Sequence, residues 1–138
     1  MRHRITLACL AFVLAAAAAR ADIAPEPDRG PPMATAGGLD FAVQSVVVKF
    51  PPGYTKTLQV AMLVGCTDGH PNCRLARSKN LIGMEVLSVD GEGLRPVNGM
   101  VRQIVDAFER KSDARAVTLE LFSRGSGSES IKVSFARR

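Results

Sequence analysis

Between Asn98 and Arg110 the apolar pattern of this chain changes its period. Val97, Val101, Ile104, Val105 and Phe108 recur at +4, +7, +8 and +11, which lays one apolar stripe along a helix. The segments around it follow a different rule. Phe41–Phe50 (FAVQSVVVKF) is β-branched and partly alternating, and Thr57–Val64 sets Leu58, Val60, Met62 and Val64 against Gln59, Ala61 and Leu63. Met84–Val89 reads as a further strand, closed by the turn Asp90-Gly91. Val117, Leu119 and Leu121 alternate with Thr118 and Glu120, and Ile131, Val133 and Phe135 alternate with Lys132 and Ser134. Strands that outnumber helices, with the long helix falling between strands, make an α+β pattern.

Turn chemistry joins these pieces. Pro51-Pro52-Gly53 connects the first two strands as a hairpin, and the Gly/Ser-rich stretch Arg124–Ser130 connects the last two. Cys66–Cys73 (CTDGHPNC) reads as a loop and Leu75–Leu81 as a short helix. Asp22–Gly38 (DIAPEPDRGPPMATAGG) is poor in large apolar residues, and its four prolines oppose both helix and sheet pairing. We therefore expect a Pro-rich tether over residues 22–37, no strand before Gly38, and one folded domain over 38–138.

The chain opens with an export signature. Arg2, His3 and Arg4 form a basic start, Ile5–Ala19 is an uncharged apolar run, and Ala19-Arg20-Ala21 supplies small-x-small before Asp22. That run holds 15 residues, short of the roughly 20 that cross a bilayer as a helix. Residues 1–21 are expected to be a cleaved signal peptide, with the mature protein in the periplasm or outside the cell and no membrane span left. Cleavage takes away Arg2, Arg4 and Arg20 and lowers the net charge from +5 to +2. A charge so small, with no basic run and no aromatic ladder, argues against a nucleic-acid partner. A chain of 138 residues also has no room for a barrel enzyme or a two-domain dinucleotide enzyme.

Residues 83–135 resemble the second half of a PDZ domain. Gly83-Met84-Glu85-Val86-Leu87-Ser88-Val89-Asp90-Gly91 is similar to the family's G-D-x-I-L-S-V-N/D-G strand and turn. Leu94, the amphipathic helix and the closing strands VTLELF and IKVSF follow at the family's spacing. Upstream, Gly38-Leu39-Asp40-Phe41 resembles the family's G-L-G-F loop. The resemblance implies a small, partly open barrel or sheet with one long and one short helix. It also implies a groove where a peptide's terminal carboxylate meets the Gly-containing loop and the peptide adds as a strand. By position, Gly38, Leu39 and Phe41 would form the loop and pocket and Val43 would face the groove. From the helix, Val101 and Val105 would line it, with Asn98 or Gly99 at its start. Asp40 stands where the family has its second loop glycine, so a carboxylate would face the incoming one; a groove filled by the protein's own tail would account for it. The helix start offers no histidine, so a preference for Ser or Thr in the peptide is not expected.

Chemistry-bearing residues are few. Cys66 and Cys73 are the two cysteines that survive cleavage, and an even pair flanking a turn-rich loop in an oxidising compartment is most simply a disulfide. The alternative is a metal site formed by Cys66, Asp68, His70 and Cys73, although zinc sites usually space their cysteines by two to four residues and use paired clusters. His70 is the sole mature histidine and no G-x-S-x-G turn exists, so no nucleophile–base–orienter set assembles from the sequence. The expectation is a non-catalytic peptide- or protein-binding module without a cofactor, its oligomeric state open.

Overall fold

A computed structural model of the chain describes residues 30–110, 112–124 and 129–137, with Val97 as backbone only. The expected signal peptide, residues 1–21, lies outside the described residues, as do 22–29 of the tether and 125–128 of the Gly/Ser loop.

The architecture is α+β: an open, seven-stranded antiparallel sheet with two α-helices among the described residues. Its longest ladder is a hairpin. Strands β2 (Leu39–Phe50) and β3 (Tyr54–Cys66) pair from Leu39↔Cys66 out to Phe50↔Tyr54 across the turn Pro51–Gly53. β1 (Met33–Ala36) lies on the outer edge of β2. β4 (Glu85–Val89) follows β3 in the sheet and carries the two-residue β5 (Glu92–Gly93). β6 (Ala116–Phe122) and β7 (Ser130–Ala136) complete the order β1-β2-β3-β4-β6-β7. The β4–β5 turn uses Asp90 and Gly91, both at positive φ (49° and 82°), the conformation that a two-residue hairpin turn demands.

Helix α1 (Pro71–Ser78) follows β3, and α2 (Met100–Glu109) follows a 3₁₀ turn at Pro96–Asn98. The core sits between α2 and one face of the sheet. Leu39, Phe41, Ala61, Leu63, Val86, Leu119 and Leu121 point to it from the strands, and Val101, Ile104 and Phe108 from the helix. Fully burying side chains of this kind stabilises the fold by roughly 1.5–3 kcal/mol each relative to exposure. The period-two alternation in Ala116–Phe122 is realised directly, with Val117, Leu119 and Leu121 inward.

Two expectations are corrected. The short helix spans Pro71–Ser78 rather than Leu75–Leu81. His70, in an extended conformation, is its N-cap, and Pro71 occupies the first turn, where a missing N–H costs nothing. Leu81 is fully buried but lies beyond the helix. A strand also precedes Gly38: Met33–Ala36, placed in the tether on sequence, is β1. Thr35 is the one residue of Met-Ala-Thr-Ala that favours a strand by propensity; the free edge of β2 supplies the hydrogen-bond partners.

Candidate functional site

The edge of β2 faces α2 across a slot, and β1 fills it. The register runs Met33↔Ala42, Ala34↔Phe41, Thr35↔Asp40 and Ala36↔Leu39, and the Val43 N–H donates to the Pro32 carbonyl at 2.9 Å. Alternation along β1 turns Ala34 and Ala36 inward, where Ala36 is buried, and leaves Met33 64% exposed. The slot therefore receives only methyl groups from the inward positions of β1. Both ends are tight. At the entrance a Cβ on Gly99 would lie 2.7 Å from the Gly30 Cα. At the exit the chain turns through Gly37 (φ +59°), where any Cβ would collide with the Phe108 ring. Phe108 packs in turn on Phe41, with ring centroids 6.4 Å apart.

Polar contacts fix the exit turn. Thr35 donates its hydroxyl to Asp40 Oδ1 at 2.6 Å, so the Asp40 carboxylate near the start of β2 is bound to the strand occupying the slot. The Gly38 carbonyl accepts from the Thr67 N–H at 2.9 Å, and a Cβ on Gly38 (φ +72°) would collide with the His70 ring. Asn72 ties the turn to the far end of the sheet. Its Nδ2 donates to the carbonyls of Gly37 and Ala136, each at 2.8 Å, and its Oδ1 accepts from the Ala136 N–H at 2.9 Å. The side chain is almost wholly buried and all three bonds are local to this junction. His70 Nδ1 accepts from the Asn72 N–H at 3.1 Å, which starts α1 at the right place.

The residues expected to bind a peptide do converge here, but their surface is spent on β1 and the core. Leu39, Phe41 and Val101 are 0% exposed. Val43 and Val105 are partly buried against the same core. Gly38 forms the exit turn, and Asn98 is exposed at the end of the 3₁₀ turn. Sequence reasoning missed Asn72 and Thr35. His70-Pro71 was the available signal for the first, since a capping residue before a proline starts a helix and would have moved Asn72 into its first turn. No comparable signal marks Thr35.

The Cys66 and Cys73 sulfurs lie at disulfide distance, 2.06 Å, with Cα atoms 5.2 Å apart, joining the end of β3 to the first turn of α1. The other members of the alternative metal set are engaged separately. Asp68 pairs with Arg77 at the surface and His70 caps α1. Among the described residues no three His, Cys, Asp or Glu side chains gather into a potential metal site. No described helix is long and apolar enough to cross a membrane.

No family model, no curated protein and no solved structure matches the chain.

Proposed function

We propose that the chain is an exported, non-catalytic protein-binding module of PDZ-like organisation, whose peptide slot is held by its own β1 until a partner strand displaces it. The observation that carries this reading is the antiparallel addition of Met33–Ala36 to β2 in the slot against α2. It runs toward the Gly37-Gly38 turn as a peptide's C-terminus would run toward a carboxylate loop. Asp40 fits the same picture: its Oδ1 accepts from the neutral Thr35 hydroxyl of β1, where an incoming carboxylate would be repelled. The signal-like residues 1–21 and the Cys66–Cys73 pair support an oxidising, exported setting.

A tethered strand competes at high effective concentration, typically millimolar for a short linker. An external peptide therefore sees only the fraction of molecules whose slot is open, and its apparent Kd rises by that factor. The test is titration of the chain from Asp22 onward with a library of free-carboxylate peptides, beside the double variant Ala34→Asp/Ala36→Asp. The inward carboxylates should expel β1, checked by loss of hydrogen-exchange protection at Phe41 and Val43 amides with the rest of the sheet retained. Peptides should bind the variant at least about tenfold more tightly than the parent. An opened slot that captures no peptide would sink the PDZ-like mode.

A further inference from the structure

The β2–β3 hairpin outruns its neighbours. β1 pairs with Leu39–Ala42 and β4 with Ala61 and Met62, so among the described residues no third strand flanks Ser45–Phe50 or Tyr54–Gln59. The Val43 N–H points outward to Pro32 and the Leu63 N–H outward to Met84. Stepping by two from these residues turns the N–H and C=O groups of Ser45, Val47 and Lys49 out of one edge, and those of Thr55, Thr57 and Gln59 out of the other. A two-stranded ribbon with both edges open is marginal in water and is a template for further pairing.

Its side chains add chemistry to that template. From Phe41 to Thr67 the sequence contains Lys49 and Lys56 and no acid. Val46, Val48 and Phe50 share a face with Tyr54 and Leu58, opposite the face that carries Phe41, Ala61 and Leu63 into the core. At the foot of that outer face lies a cleft of about 320 Å³ walled by Val46, Val60, Met62 and Phe122, with Gly83 and Arg124 at its rim. A Cβ on Gly83 would meet nothing within 4 Å. Arg124 is held over the cleft by two bonds to Glu85, at 2.8 and 3.1 Å.

We propose that the free edge of β3, Thr55–Gln59, takes an extended, acid-bearing segment of a partner protein as a strand in line with β4, with one apolar side chain of that segment entering the cleft. The β3 edge is preferred to the β2 edge because the cleft opens beside β3 and β4, whereas Pro32 closes β2 at Val43. Lys56 on the outer face and Lys49 on the opposite face, in a ribbon without an acid, select a partner segment whose acids can face either side over a basic one. The inference rests on the protein-binding reading but uses an edge other than the slot, so the two fail separately.

The probe is an acetylated, C-terminally amidated ten-residue peptide alternating Val or Thr with Glu, beside a counterpart with every Glu replaced by Lys. Neither offers the free carboxylate that the slot would read. Titration into ¹⁵N-labelled chain should give saturable shifts at Thr55, Thr57, Gln59, Gly83 and Arg124, with the Lys peptide at least about tenfold weaker. Thr57→Pro removes an outward N–H without touching the β2–β3 ladder and should weaken binding at least about tenfold, while the matched lesion Val47→Pro on the other edge changes it less than about twofold. Should either proline variant lose the fold, Lys49→Glu/Lys56→Glu keeps the test alive: it should weaken the acidic peptide and strengthen the basic one. Absence of saturation, equal loss in both proline variants, or shifts confined to the slot would each overturn the proposal. So would a dimer of the unliganded chain, seen by light scattering and abolished by Thr57→Pro, because a second copy would then own the edge. Free-carboxylate peptides that still bind an opened slot would leave the PDZ-like reading standing alone.

Discussion

The two halves of β2 have similar apolar content and opposite fates. Leu39, Phe41 and Val43 lie under β1 and α2, two of them with no exposed surface, while Val47, four residues farther on, is 67% exposed. Neither composition nor alternation separates the halves. What separates them is what the rest of the chain brings alongside. Near Leu39 the sheet has neighbours on both edges, a helix above and Asn72 below. Beyond Gln44 the ribbon has, among the described residues, only its own partner strand. The first half is a finished site in which every inward group is engaged; the second keeps its edges and an apolar face in water. If the proposed binding readings hold, the surface still open to a partner in the folded chain is the ribbon rather than the slot.

The comparison breaks most visibly at Asn72. Asn72→Ala removes three hydrogen bonds and leaves the half-buried Gly37 and Ala136 backbone groups without this partner. We expect a loss of about 3 kcal/mol, read as a lower urea midpoint with unchanged slope. Hydrogen exchange should quicken at Phe41 and Val43 and stay as it was at Val47. A loss below about 0.5 kcal/mol, the range of ordinary surface substitutions, would mean that the junction is not what closes the slot.

The cysteine pair sharpens the same contrast. It closes a loop with a sequence separation of 7 at the finished end and nothing comparable ties the ribbon. Replacing both Cys66 and Cys73 by Ala should cost about 2–3 kcal/mol in the chain-entropy account. The expected signature is a lower thermal midpoint in the oxidised parent's buffer and no difference between parent and variant once reductant is present. A difference that survives reduction would assign the stabilisation to packing around buried Cys73 instead.

Much of this contrast was legible in the residues, and the illegible part has a physical cause. The helix at Met100–Glu109 was readable because Val101, Ile104, Val105 and Phe108 repeat at its period, and β6 and β7 because alternation and a Gly/Ser turn agree. The start of α1 was misplaced because Cys66–Cys73 was read as a loop, whereas a cap at His70 and a proline at position 71 set the start four residues earlier. β1 was invisible for a deeper reason. Met-Ala-Thr-Ala carries only Thr35 as a strand-favouring residue, and its pairing is decided by an edge contributed by β2 and a helix more than sixty residues away. The same non-local rule hid Asn72: within CTDGHPNC it was one residue of a turn-rich loop, and only the meeting of Gly37 with Ala136 makes it a buried junction.

The smallest effect belongs to the ribbon, and its smallness is informative. Val47 points away from the partly apolar outer face and toward solvent, with Thr57 across from it. Val47→Thr keeps a β-branched side chain in a strand and removes only exposed apolar surface. Stability should therefore move by less than about 0.5 kcal/mol, while amide exchange at Ser45, Val47, Thr55 and Thr57 should be fast in the parent and remain so in the variant. If the isolated chain instead protects those amides as strongly as Leu63, something already covers the ribbon edges. The division between a finished slot and an open arm would then disappear. A neutral substitution beside fast exchange would locate the open surface in the folded monomer itself.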